Sequence, residues 1–175
     1  VTSVYKVGAG DDDGYGSQWS AYQDLSDRAL ALGEFTPAMR FCGLEIPQGA
    51  SILSATLRIC AHPGGLTGRV AARLRAEAAD NPGSFSSSRR INALTLTQAA
   101  QDWSWDSTPW AAHGWYDSPD ISPLIQEVVD RPGWAPGNAL VIVYVAQDFS
   151  GIDRLFWAYE GDPAKAVELV IVYQP

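Results

Sequence analysis

Along this chain apolar and polar positions alternate in short runs, and one stretch departs from that rhythm. Within residues 118–146, SPDISPLIQEVVDRPGWAPGNALVIVYVA, the positions Ile121, Leu124, Ile125, Val128 and Val129 recur at helical spacing and predict a short helix at 123–130. Ser122 offers an N-cap hydroxyl, and Pro123 suits the first helical position, where its missing N–H costs nothing. Pro132-Gly133 then stops the helix. Gly137-Asn138 predicts a turn, and residues 139–146, ALVIVYVA, are apolar on both faces. Such a strand lies inside a sheet and is covered on both sides. The helix is expected to provide part of the cover.

Elsewhere the period is two. Residues 2–7 form a first strand, with Val4 and Lys6 facing opposite to Tyr5 and Val7, and 29–32 form a short one. From Met39 the pattern reads strand, turn at Pro47-Gln48-Gly49, strand, which predicts a hairpin. In its second arm Leu53, Ala55, Leu57 and Ile59 share one face, and Ser54, Thr56 and Arg58 the other. Residues 70–78, VAARLRAEA, have helical propensity, yet Val70, Ala72, Leu74, Ala76 and Ala78 alternate with charged positions, which favours a strand. Further strands are expected at 91–96, 154–160 and 167–173. No repeat or linker interrupts the chain, so residues 1–175 are read as one domain. With 16 Gly and 11 Pro marking dense turns, the class is all-β, a two-sheet β-sandwich with one short helix.

Charge narrows the partners. Twelve basic residues against 20 acidic ones give a net charge of −8 and no basic patch, which excludes nucleic acid as an expected partner. No run approaches the ~18 apolar residues of a membrane span. The acidic balance suits a secreted or surface-displayed protein, or a calcium binder. A start at Val1 with no signal peptide fits a processed mature chain, an excised module, or a non-AUG start as in a virion component. On hairpin register Cys42 pairs near residue 55, not with Cys60, and alternation puts the two on opposite faces. Two reduced cysteines packed as small hydrophobes are therefore expected, with a disulfide as the alternative.

Two stretches carry candidate chemistry. The first is GAGDDDGYGSQW, residues 8–19, with Asp11, Asp12 and Asp13 in a glycine-rich loop. The EF-hand pattern fails, because its first ligand position falls on Ala9 and its terminal Glu position on Ser20. The loop reads either as a solvated acidic turn or as a calcium site of another kind, completed by distant oxygens. The second is QDWSWDSTPWAAHGWYDSPD, which puts Trp103, Trp105, Trp110, Trp115 and Tyr116 within 14 residues. Sugar rings stack their C–H faces on indoles while carboxylates hold their hydroxyls. Trp103, Trp110, Trp115 and Tyr116, with Asp106 and Asp117 beside them, are the candidate ligand-binding residues. Each tryptophan has a packing role as its alternative, and Trp105 and Trp134 are assigned to the core. Trp19, Tyr15 and Tyr22 make a second candidate surface. Catalysis finds little support. His62 and His113 lack neighbouring metal ligands, there is no G-x-S-x-G, and no carboxylate among Asp11–Asp13, Asp102, Asp106 and Glu160 is marked as buried.

The order of motifs carries a resemblance. IPQGASILSATLRI resembles the "I-P-x-G-A-x-I-x-x-A-x-L" segment of secreted jelly-roll modules related to DNRLRE-type and carbohydrate-binding-module-like domains. SPDISPLIQEVVDRPGWAPGNAL resembles their "D-L-x-x-I-V-Q-E-V-V-x-R-x-G-W-x-x-G-N-A-L" segment, and VELVIVY their closing strand. The resemblance implies a two-sheet jelly roll and a non-catalytic role within a larger extracellular assembly. Taken with the aromatic and acidic stretches, the expected function is the binding of a polysaccharide or glycan, with a structural calcium ion near Asp11–Asp13. The alternative is a structural, decoration or adhesion subunit of a virion, appendage or surface assembly. That alternative draws on the face of VELVIVY carrying Val170 and Val172, which needs cover from within the chain or from another subunit.

Overall fold

The computed structural model describes residues 1–175 and contains twelve strands and one α-helix. The strands are β1 (Thr2–Lys6), β2 (Asp13–Ser17), β3 (Gln23–Asp24), β4 (Ala29–Leu32), β5 (Phe35–Leu44), β6 (Ser51–Cys60), β7 (Val70–Ala76), β8 (Gln101–Asp102), β9 (Trp115–Asp117), β10 (Asn138–Phe149), β11 (Arg154–Trp157) and β12 (Glu168–Gln174). The helix α1 spans Ser122–Val129. One sheet runs β1-β12-β6-β9, a second runs β3-β2-β5-β10-β7-β8, and β11 pairs with β4 beside them. All named pairings are antiparallel. The expected all-β sandwich is therefore the architecture.

The predicted hairpin at Pro47–Gly49 is instead a crossover. β5 pairs with β2 and β10, and β6 pairs with β12 and β9, so the two strands belong to opposite sheets. Alternation and a turn signal describe a hairpin and a sheet-to-sheet corner equally well. The corner is closed by Ala50 N–H donating to the Pro47 carbonyl (3.1 Å), with Gly49 at φ 71°. Ile46, buried in that corner, belongs to the core. Cys42 and Cys60 are separated accordingly and both are free.

β10 is buried on both faces, as expected, but by different layers. Leu140, Ile142 and Tyr144 join the main core, to which α1 contributes Leu124, Ile125, Val128 and Val129. Val141 and Val143 face outward under Phe85 and Ile91, with Leu94 and Leu96 packed alongside. The outer cover is thus the irregular 85–96 segment, while α1 packs on β6 and β7. The strand expected at 91–96 is a 3₁₀ turn, Ile91–Ala93, followed by extended chain with one bridge, Leu96 to Glu77. Gln23 Oε1 accepts from Ile91 N–H (3.0 Å), so a side chain takes the place of a strand partner.

Two smaller departures have local causes. Leu53 faces solvent, because the β6–β12 register shifts between Val172 and Tyr173 and leaves it unpaired. The cap of α1 comes from Asp120, whose Oδ1 accepts from Ser122 N–H (3.0 Å) and from Ala55 N–H (2.8 Å). One carboxylate so joins the helix start to the β6 edge. The strand expected at 70–78 is present as β7, with its alternation intact.

Candidate ligand-binding site

The aromatic segment folds inward. Trp103 stacks on Tyr144 (5.2 Å, 10°), Trp105 meets Trp110 edge-on (4.8 Å, 87°), and Trp110 stacks on Tyr116 (5.2 Å, 25°). At the centre lies the fully buried Arg154. Its guanidinium sits 4.6 Å over the Trp110 ring and donates to the carbonyls of Gly68, Leu66, Asp106 and Thr108. A cation without a carboxylate partner is tolerated there because four carbonyl dipoles and two indole faces replace its water. Burial still lowers its pKa. The Tyr144 hydroxyl accepts from Trp105 Nε1 (2.9 Å) and donates to the Trp103 carbonyl (2.5 Å), which closes the network.

Two of the expected sugar platforms are consequently corrected. Trp103 and Trp110 are only 6% and 4% exposed, so neither ring face can meet a ligand. Tyr116 is half-buried, its hydroxyl accepting from Ala111 N–H (2.8 Å). Asp106 caps its own turn through Thr108 N–H (2.8 Å), and the Thr108 hydroxyl together with that N–H holds its carboxyl below the usual range. Asp117 is paired with Arg58 (2.8 Å), whose guanidinium lies 5.6 Å over Trp115. Trp115, 39% exposed, is the one tryptophan of the segment that shows much of its surface. Trp134 is core, as expected, its Nε1 donating to the Ile46 carbonyl (2.9 Å).

The second candidate surface is the open one. After β2 the chain turns on Ser17, whose hydroxyl oxygen accepts from the N–H groups of Trp19 (3.2 Å) and Ser20 (3.1 Å). This turn lays the Trp19 indole against Phe149 at the end of β10 (6.4 Å, 30°) and leaves it 68% exposed. Beside it is a cleft of about 180 Å³ lined by Gln18, Trp19, Gly33, Ala146, Gln147, Asp148 and Phe149. Gln18 also borders a neighbouring cleft of about 190 Å³ that contains Asn92 and the apolar Ile91, Leu94 and Val145. Asp148 is held by Arg69 (2.9 Å). Tyr22 is exposed and tilted on Phe35 (5.8 Å), whereas Tyr15 is buried, with its hydroxyl donating to Asp27 (2.7 Å). Phe149 lies beyond the predicted strand 139–146, because Gln147 and Asp148 interrupt its apolar run. The ladder continues past a register shift to pair Phe149 with Val70.

The three consecutive aspartates do not converge. Asp12 pairs with Arg40 (2.5 Å) and lies near Cys42 Sγ (3.5 Å). Asp11 is exposed. Asp13 turns inward, its Oδ2 accepting from Tyr159 N–H (2.9 Å). Burial and the adjacent Glu160 carboxyl push the Asp13 pKa up to about 8. No three His, Cys, Asp or Glu side chains gather where they could hold a metal. The three aspartates expected to share a calcium ion thus leave the chain in different directions, as successive residues do. His62 and His113 flank Trp157, with Trp157 Nε1 donating to His113 Nδ1 (3.3 Å).

No protein-family model matches the chain, and no curated protein matches it.

Proposed function

We propose that the protein is a non-catalytic, extracellular jelly-roll module that binds a polysaccharide or glycan in the cleft beside Trp19. The observation that carries this reading is the Trp19 indole, braced by Phe149 and mostly in solvent, next to a cleft edged by Gln18, Gln147 and Asp148. A sugar has one apolar face and a rim of hydroxyls, and it is suited by one exposed ring and a few fixed amides. Two strand orders support the jelly roll. The β1-β12-β6-β9 sheet shares a core with the β3-β2-β5-β10-β7-β8 sheet, and the chain passes between them from β1 to β2, β5 to β6, β6 to β7, β8 to β9, β9 to β10 and, by way of β11, from β10 to β12. A glycosidase reading fares worse. Asp13 and Glu160 are close enough to share a hydrogen bond, whereas glycoside hydrolysis separates its carboxyls by about 5–9.5 Å.

Affinity electrophoresis against a panel of neutral and acidic polysaccharides tests the reading. Retardation of the native chain, lost in Trp19→Ala, supports it; unchanged mobility across the panel overturns it. A second reading, a packing subunit of a larger surface or virion assembly, is favoured by the outer face of the β1-β12-β6-β9 sheet. There Val4 is exposed, and Val170 and Val172 are half-buried in register with Val4, Thr56, Thr2 and Ser54. A native mass that is a multiple of the chain, reduced to monomer by Val4→Lys with Val172→Lys, would favour it.

A further inference from the structure

The two clefts beside β10 meet at one side chain. Gln18 borders both, while Val145 lines one and the next residue, Ala146, lines the other. A drug-sized ligand fills roughly 300–1,000 Å³. A cleft of about 190 Å³ therefore seats one ring or one substituent. The chemistry of the two differs. The first has the Trp19 indole, an open platform for the face of a sugar ring. The second is walled by Ile91, Leu94, Leu96, Val143 and Val145, and its polar groups are Gln18, Asn92 and Thr36. Hydroxyls pressed on such walls lose water without finding partners, whereas a methyl group gains by burial. Both amides have one end committed. Gln18 Nε2 donates to the Ala146 carbonyl (3.2 Å), and Asn92 Nδ2 donates to the carbonyls of Ser17 (3.1 Å) and Ser20 (2.8 Å). Their amide oxygens take no hydrogen bond from the chain and remain as acceptors at the apolar cleft. Charge narrows the ligand further. The one charged side chain lining either cleft is Asp148, held by Arg69 (2.9 Å). Arg73 and Arg75 stand beside Val145 and Val143 in the ladder, but Asp102 (2.6 Å) and the Thr97 carbonyl (2.6 Å) engage them. An anionic sugar thus finds no free cation, on a chain whose net charge is −8.

We propose that the glycan is neutral and contains N-acetylhexosamine, with one ring on Trp19 and the acetamido group of the adjoining unit in the cleft of Leu94 and Val145. An acetamido group carries one N–H donor and one methyl group. That pairing matches amide oxygens beside an apolar wall. A plain hexose has no methyl group for the cleft, and a 6-deoxyhexose has the methyl without the donor. This inference rests on the Trp19 reading and adds the class of sugar. The ring on Trp19 supplies binding, and the second cleft supplies selectivity.

Titration calorimetry on the full native chain compares triacetylchitotriose with cellotriose, which has the same rings and linkage without the acetamido groups. Triacetylchitotriose is expected to bind at least about tenfold more tightly. This comparison is between ligands, so it does not depend on a variant folding. Leu94→Ser, in the wall of the second cleft, is expected to narrow the preference to less than about threefold. Trp19→Ala weakens both ligands. Equal affinity for the two, lost in Trp19→Ala, overturns the acetamido assignment and leaves the sugar reading standing. Tighter binding of trigalacturonate, or of a rhamnose trisaccharide, than of triacetylchitotriose overturns the assignment likewise. A preference that Leu94→Ser leaves untouched overturns the placement in the second cleft. If none of these oligosaccharides binds, the assignment falls, and the polysaccharide panel decides the sugar reading separately.

Discussion

Two aromatic regions of this protein have opposite fates. Between Trp103 and Tyr116 the chain concentrates five aromatic rings, and the fold packs four of them against one another, with Trp105 and Trp110 over Arg154. Around Trp19 the sequence is sparse, yet the turn at Ser17 and the end of β10 leave one indole standing in solvent against one phenyl ring. Aromatic density therefore marks where the sandwich needs packing. Availability is set by which rings lie beyond the last covering layer. A buried indole contributes stability, and an exposed one is free to meet a ligand.

Substitutions separate the two roles, and the largest effect belongs to the buried region. Arg154→Met leaves the carbonyls of Leu66, Gly68, Asp106 and Thr108 without their donor and is expected to cost about 4 kcal/mol in chemical denaturation. Trp103→Ala opens a cavity beneath Tyr144 and is expected to cost about 3–5 kcal/mol, while the folded fraction keeps its polysaccharide retention. Trp19→Ala reverses the pattern. Retention in affinity electrophoresis falls by about tenfold, or about 1.4 kcal/mol, and the unfolding midpoint hardly moves. Trp115→Ala removes a cation–π contact with Arg58 and is expected to cost about 0.5 kcal/mol in stability, with retention unchanged. If Trp115→Ala abolished retention and Trp19→Ala spared it, the comparison would invert, and the aromatic segment would be the binding surface after all.

The candidate site was only partly legible for the same reason. Trp19 and Tyr22 stand out as exposed-type aromatics in a polar, glycine-rich stretch, and both are exposed. Gln18 precedes Trp19 directly, but their partners Phe149 and Gln147 come from over a hundred residues further along, which no local pattern joins. Arg154 could have been suspected. It opens RLFWAYE in phase with Phe156, and alternation puts Arg154 and Phe156 on one face, the buried one. An arginine in phase with a core phenylalanine is a sign of a buried cation in need of carbonyls. Glu160 offered no signal, since its meeting with Asp13 depends on how the turn after β11 reaches the N-terminal turn.

By itself the sequence determined the periods. Period two set the strands 2–6, 29–32, 70–76 and 168–174, and helical spacing set α1, because side-chain direction follows backbone geometry within a few residues. It also determined the net charge of −8. Only the tertiary structure decided which strands share a sheet. Alternation is identical whether β6 folds back on β5 or crosses to β12, and long-range packing makes the choice. The same packing sends Asp12 to Arg40 and Asp13 to Glu160, and hides Trp110 while leaving Trp19 in water. Burial is a property of what lies above a residue in space, and a neighbour in the chain supplies that layer only by coincidence.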